Sequence, residues 1–335
     1  MNLIDTLVEK YNIIFDKYVA SKKEEDLDGL QALSFEAIEN DISPEEIVSL
    51  HKDLMLEKEL TAEEAKYSMD VLLEMIIGFG FSYRDYKALV RKMEAHDKEM
   101  DVAVSLQSMM LKTSIPKLNS IEIGAISVPA QRVNGDYFNL IDHRDGTMSF
   151  AVADVIGKGI PAALAMSMIK FGMDSYGHSQ LPSDGLKRLN RVVEKNVNQN
   201  MFVTMFYGLY EEVNSKFYYS SAGHEPGYIY RENTDSFQEL NARGIVLGIN
   251  PSTRYDQEEH QLEIGDMIIV FTDGFSEIRR LNGEFVSTEE LLEIIREYKH
   301  LHPQDIVQVV YEELLKQQDP KKRDDLTILI IKKIQ

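Results

Sequence analysis

Apolar residues in the first quarter of the chain recur at helical spacing. Leu3, Leu7, Tyr11, Ile14, Phe15 and Tyr18 fall on one side of a predicted first helix. A second is predicted over residues 27–39, with Leu30, Leu33, Ala37 and Ile38 on one side. Ser43-Pro44-Glu45-Glu46 is a capping box with proline at the first helical position, and Thr61-Ala62-Glu63-Glu64 repeats the device, so two more helices start there. The last runs into Met75-Ile76-Ile77-Gly78-Phe79-Gly80-Phe81, apolar almost all round, which predicts burial in a bundle or against a second chain. A four-helix domain that forms a homodimer through its final helix is expected, with simple burial inside the bundle as the alternative.

Residues 86–111 lack proline and glycine and mix both charges. Leu89, Met93, Met100, Ala103 and Met110 fall near coiled-coil spacing, while His96 and Gln107 interrupt the seam. This predicts a linker helix, either a solvated spacer or an element that passes signals between domains. Ser114-Ile115-Pro116 ends it. From Ile121 the pattern becomes that of strands, clearest over 121–128, 150–153, 202–210, 217–220, 267–271 and 326–331, with helices at 161–174, 183–197, 288–298 and 305–316. Strands grouped with paired helices, without strict alternation, indicate an α+β fold. The expected organisation is a helical partner-binding and dimerisation domain at 1–84, a coiled-coil-like linker helix at 85–115 and a second domain at 116–335.

Composition narrows the field. A chain of 335 residues with 44% hydrophobic and 9% aromatic content is long enough for two packed cores. Zero cysteines exclude disulfides and thiol catalysis and fit a reducing, cytoplasmic setting. The amphipathic, acid-bearing residues 1–10 do not read as a signal peptide, and no apolar run is long enough to span a bilayer. A formal charge of −20 argues against nucleic acid and anionic membranes as partners.

The candidate chemistry lies in four acidic stretches: Gly135-Asp136-Tyr137-Phe138, Ala153-Asp154-Val155-Ile156-Gly157-Lys158-Gly159, Phe271-Thr272-Asp273-Gly274 and Arg323-Asp324-Asp325-Leu326-Thr327. Each aspartate sits where an apolar, β-rich run meets a turn. Asp-Gly is a common turn pair and aspartate an ordinary turn residue, so any one of them alone reads as turn chemistry. Several carboxylates gathered in one pocket would repel one another unless a hard divalent cation neutralised them. Together they suggest a Mg²⁺ or Mn²⁺ site, with one or two ions, suited to phosphate-ester hydrolysis.

From about Ile121 onward the chain resembles the metal-dependent Ser/Thr phosphatases of the protein phosphatase 2C class, in particular their bacterial SpoIIE-like branch. The resemblance rests on residues 153–164 (ADVIGKGIPAAL), 201–207 (MFVTMFY), 221–227 (SAGHEPG) and 265–277 (GDMIIVFTDGFSE). With its N-terminal part, the whole chain is similar to the phosphatases of the Gram-positive sigma-B stress-response pathway. The resemblance implies two packed antiparallel β-sheets flanked by helices and two divalent metal ions, Mn²⁺ or Mg²⁺. It also implies Asp154 as the bridging carboxylate, the Val155 carbonyl as a further ligand, and Asp136, Asp273 and Asp324 as the rest of the set. Many relatives carry glycine where Val155 stands. Asp325 ranks below these, as a ligand to a third ion or a residue that orients water. Implied partners are a phosphorylated anti-anti-sigma protein of the RsbV type as substrate and an RsbT-like activator at the N-terminal domain.

Other features read differently. Gly157-Lys158-Gly159 lacks phosphate-loop spacing and is expected to form the turn after Asp154; Lys158 either attracts phosphate or faces solvent. His224, between Gly223 and Pro226-Gly227, is expected to be structural rather than an acid or base. Arg132 stands near the position of the basic phosphate-gripping residue of other relatives, yet reads better as a surface arginine. Two competing functions stay open: a noncatalytic phosphoprotein-binding scaffold, disfavoured by so many carboxylates without partners, and a metal-dependent nuclease or nucleotide hydrolase, disfavoured by the acidic balance.

Overall fold

The computed structural model describes residues 3–157, 159–175, 180–197, 201–320 and 322–335. Lys158 and the side chain of Leu3 lie outside the described part. The chain divides into two compact units, Met1–Glu99 and Met100–Gln335.

The first unit is helical: α1 (Leu3–Ser21), a 3-10 turn (Glu24–Leu27), α2 (Leu30–Glu39), α3 (Pro44–Glu57) and the first part of α4 (Ala62–Met110). Leu7, Tyr11, Phe15, Leu30, Leu33, Ile47, Leu54, Val71, Met75 and Phe79 fill its core. Both capping devices form. The Ser43 hydroxyl accepts from the Glu46 N–H while Glu46 accepts from the Ser43 N–H, and Thr61 and Glu64 pair the same way. The second helix begins later than its apolar pattern, at Leu30, because Gly29 ahead of it adopts a left-handed φ of 101°.

Burial of the apolar segment in α4 is one-sided. Met75 and Phe79 enter the core, whereas Met69, Leu73, Ile77 and Phe81 are 50%, 58%, 36% and 44% exposed at i, i+4, i+8 and i+12. The helix then continues unbroken for 49 residues in all. Its seam residues Leu89 and Met93 are exposed, while the seam-breaking Gln107 is buried.

The second unit holds two five-stranded antiparallel sheets. Their strands are β1 (Ile121–Val128), β2 (Asp136–Asp142), β3 (Thr147–Ile156), β4 (Phe202–Glu211), β5 (Lys216–Ala222), β6 (Gly227–Arg231), β7 (Ser236–Leu240), β8 (Glu258–Gln261), β9 (Met267–Phe271) and β10 (Leu326–Lys333). One sheet runs β1-β10-β9-β6-β7 and the other β2-β3-β4-β5-β8. Alternation assigns each strand residue to a layer. Phe150 and Val152 of β3, Phe206 of β4, Ile268 and Val270 of β9, and Leu329 and Ile331 of β10 meet between the sheets. Ala151, Ala153 and Val155 face the other way, against α5 (Ile160–Asp174) and α6 (Pro182–Asn196). Ile269, Phe271, Ile328 and Ile330 pack under α8 (Thr288–Glu297) and α9 (Pro303–Leu315), with the single-turn α7 (Asp273–Ser276) at their end. The result is the expected α+β sandwich, two sheets between two helical layers.

Candidate metal centre

Strand periodicity delivers polar residues to one end of the space between the sheets. On β3, Phe150 and Val152 point inward, so Asp154 follows them in phase. Its partners in register are Asp136 on β2 and Thr204 on β4. On the facing sheet the same rule carries Thr272 inward after Val270, and Thr327 inward before Leu329. A buried polar layer therefore caps the apolar core at this end.

Its hydrogen bonds are nearly continuous. The Thr272 hydroxyl donates to Asp136 Oδ2 at 2.6 Å and accepts from the Thr327 N–H at 3.1 Å. The Ser127 and Thr327 hydroxyls meet at 2.7 Å, and Asn134 Nδ2 donates to Ser127 Oγ at 2.8 Å. Asn134 Oδ1 accepts from the Asp136 N–H at 3.0 Å. Gln107, near the end of α4, holds the Asn134 backbone from both sides: its Nε2 donates to the carbonyl at 2.7 Å and its Oε1 accepts from the N–H at 3.1 Å. The residue that broke the predicted seam thus fixes the turn that launches Asp136.

Above this layer lies a cavity of about 220 Å³. Asp136, Asp154, Val155, Asp273, Asp324 and Asp325 all line it, together with Gly135, Gly157, Gly159 and Arg323. The structure thus brings together residues spread over 190 positions of chain. Around Gly135 a cradle opens: the point where a Cβ would stand is 3.2 Å from Asp325 Oδ2, 3.6 Å from Asp154 Oδ1 and 3.6 Å from the Val155 carbonyl oxygen. All three neighbours are oxygen donors, the chemistry that a hard divalent cation prefers. Among the described residues the carboxylates are not drawn around a single point, so the site is an open acidic cup.

Asp325 is more firmly held than its sequence rank implied. Its two oxygens accept from the Ala130 N–H at 2.7 Å and the Gly135 N–H at 2.6 Å, clasping the loop before β2 to the start of β10. Gly274 serves close approach rather than an ordinary turn: a Cβ there would stand 1.8 Å from the Asp325 carbonyl oxygen. That contact lets α7 set Asp273 beside the Asp324-Asp325 segment.

The electrostatics follow from burial and crowding. Burial first, then the Asp154 charge, raise the Asp136 carboxyl well above the usual range, against the Thr272 hydrogen bond. Asp154 is pushed up to about 7 by burial, reinforced by the charges of Asp273, Asp324 and Asp325. Asp273 is raised by burial and then by Asp324. The cup therefore holds protons more tightly than isolated carboxylates would, and a divalent cation would displace them.

Other candidates fall outside the cup. His224 Nδ1 pairs with the Thr204 hydroxyl at 2.9 Å, behind Asp154, and burial pushes the imidazole down to about 4. Arg132 makes an ion pair with Asp101 at 3.5 Å and does not line the cavity. Lys158 lies outside the described residues. Sequence reasoning missed Thr272, Thr327, Asn134 and Gln107. For the two threonines a signal existed, since Thr327 is in phase with the inward-facing residues of β10 and Thr272 continues the phase of β9 one residue beyond its end.

Comparison with known proteins follows these lines. Residues 144–333 match the family described as Stage II sporulation protein E (SpoIIE), and residues 9–82 match the phosphoserine phosphatase RsbU N-terminal domain. The chain is 40% identical over 337 residues to the phosphoserine phosphatase RsbU of Bacillus subtilis, covering 99% of each. The SiaA-PP2C domain of Pseudomonas aeruginosa superposes with a TM-score of 0.62 at 18% identity, over 72% of this chain and 98% of that one. The catalytic domain of the serine/threonine phosphatase PstP, in complex with two manganese ions, gives 0.50 at 15% identity, over 64% and 99%.

Proposed function

Since the chain belongs to the SpoIIE family of protein phosphatase 2C-type enzymes and carries an RsbU-type N-terminal domain, we propose that it is a metal-dependent phosphoserine phosphatase whose substrate is a phosphorylated anti-anti-sigma protein of the RsbV type. The observation that carries this reading is the acidic cup, whose proton affinity is raised by burial and mutual repulsion at the end of the sandwich. Asp136, Asp154, Asp273, Asp324 and the Val155 carbonyl would hold two ions, Mn²⁺ or Mg²⁺, with Asp154 shared between them. Bound there, the ions would supply charge neutralisation on the phosphoryl oxygens and an activated water.

The chain's own residues set up that chemistry. The Thr272 hydroxyl donates to one oxygen of Asp136 and restrains the carboxylate, which also pairs with Asp154. The Asp325 clasp holds the loop before β2 against the segment that carries Asp324. His224 is neutral at pH 7 and supports Thr204 rather than moving protons.

Regulation belongs to the same reading. The exposed stripe of Met69, Leu73, Ile77 and Phe81 on α4 supports a homodimer through the helical domain, residues 1–84. An RsbT-like activator binding there would stabilise the dimer, order the 85–115 helix and favour the metal-competent state of residues 116–335. The Gln107 clasp supports this path, because it ties that helix to the turn carrying Asp136. Among the described residues no helix is long and apolar enough to cross a membrane; a cytoplasmic location is part of this reading and rests on a cysteine-free composition suited to a reducing compartment.

The test is phosphate release from a serine-phosphorylated RsbV-like protein, with Mn²⁺ or with chelator, for wild type and Asp273→Ala, with and without an RsbT-like partner. Metal-dependent release that needs Asp273 and rises with the partner is expected. No release under any condition, with metal and partner both shown to bind, would replace this reading by the noncatalytic scaffold.

A further inference from the structure

An acidic cup that works on phosphate esters faces a charge problem. Five aspartates line it, and a phosphomonoester near pH 7 brings almost two further negative charges. Even with two divalent cations in place, negative charge remains in excess. A cation at the cup's mouth would lower the cost of bringing the substrate's phosphoryl group there.

Arg323 is the one basic side chain among the described residues that line the cavity. It sits in the irregular segment just before Asp324, and its side chain is exposed at the mouth. The carboxylates next to it accept from backbone N–H groups. Both Asp325 oxygens accept from the backbone of Ala130 and Gly135, and Asp324 Oδ1 accepts from the Asp325 N–H at 3.0 Å. The same clasp fixes the base of the segment, so Arg323 projects from an anchored point only two residues away. Arg132, the basic residue closer to Asp136 in sequence, is held by Asp101 instead.

We propose that Arg323 binds the phosphoryl group of the substrate, its guanidinium donating two N–H groups to two non-bridging oxygens. The proposal rests on the phosphatase reading and gives that reading its phosphate-recognition residue. A planar, permanently charged fork suits a tetrahedral oxyanion better than a point charge, so lysine is a poor replacement. The contact forms in the bound substrate and equally with product phosphate; Arg323 therefore sets affinity more than turnover.

The test uses calorimetry on the full-length, Mg²⁺-loaded protein, titrated with inorganic phosphate, for wild type, Arg323→Ala and Arg323→Lys. Mg²⁺ binding is measured separately on each. Arg323→Ala is expected to weaken phosphate binding about tenfold, equivalent to about 1.4 kcal/mol, with Mg²⁺ affinity unchanged, and Arg323→Lys to recover only part of it. With p-nitrophenyl phosphate the same loss should appear in KM, with kcat nearly constant. Unchanged phosphate affinity in Arg323→Ala overturns the proposal, as does a parallel fall in Mg²⁺ affinity, which would make the residue part of the metal cup. Wild type that binds no phosphate also overturns it. Wild type that turns over no phosphomonoester, with or without partner, counts instead against the phosphatase reading.

Discussion

Gly274→Ala adds one methyl group at the point where two carboxylate-bearing segments touch. The new Cβ would stand 1.8 Å from the Asp325 carbonyl oxygen, 3.0 Å from its carbonyl carbon and 3.2 Å from Leu326 Cδ2. Carbon and oxygen atoms settle near 3.5 Å, so either α7 or the lead into β10 must retreat by more than about 1 Å. Neither is a flexible side-chain end. Both are backbone: α7 opens with Asp273, and the segment opposite carries Asp324 and Asp325. Overpacking of this kind costs roughly 1–3 kcal/mol, which for a domain of this size lowers Tm by several degrees. The functional loss should be larger, since misplacing a catalytic group by about 1 Å can cost on the order of 100-fold. The assay pairs thermal melts with Mn²⁺-dependent phosphate release from a phosphoserine protein. Gly80→Ala is the control, a helical glycine where a Cβ would meet nothing within 4 Å, and it should stabilise slightly through helix propensity. Gly274→Ala with wild-type Tm and activity would refute the close-approach argument and return this Asp-Gly pair to ordinary turn chemistry.

Two further predictions concern protons and the Gln107 clasp. Asp154 is raised from 3.8 to about 7, and Asp136 and Asp273 move the same way. The metal-free fold therefore keeps protons that the unfolded chain has released, and stability present below about pH 4 is lost as the pH rises through about 7. Mg²⁺ should accordingly raise Tm more at pH 8 than at pH 6 in calorimetric scans against chelator; an equal rise at both would contradict the assignment. Gln107→Ala strips two hydrogen bonds from the Asn134 backbone, at a cost of about 1–3 kcal/mol. It should also weaken Mg²⁺ binding several-fold by loosening the turn before Asp136, as titration calorimetry would detect; unchanged affinity would make the clasp purely structural.

Some of the molecule was legible in its residues. Ser43 and Thr61 announced two helix starts because capping is decided within four residues of chain. Residues 267–271 announced a strand buried on both faces because every position is apolar. Other strands gave no such signal. β8 reads Glu-Glu-His-Gln and sits at a sheet edge, where one face meets solvent and pairing depends on the neighbouring β5. β2 starts at Asp136 inside a turn-rich stretch and is a strand because β3 pairs along its whole length.

The candidate site divides along the same line. Sequence by itself determined the α+β class and the acidic residues at strand ends, and period two along β2 and β3 set the side of the sheet that Asp136 and Asp154 face. Those properties depend on a residue and its near neighbours along the chain. Tertiary structure alone decided that aspartates from β2, β3, the start of α7 and the lead into β10 share one cup, and that Asp325 acts as a clasp. It also decided that Gly274 is needed for a backbone contact, and that Arg323 rather than Arg132 lines the cavity. Each of these depends on which distant strands pair and how closely two backbones approach, a matter of three-dimensional packing that no local window of residues contains.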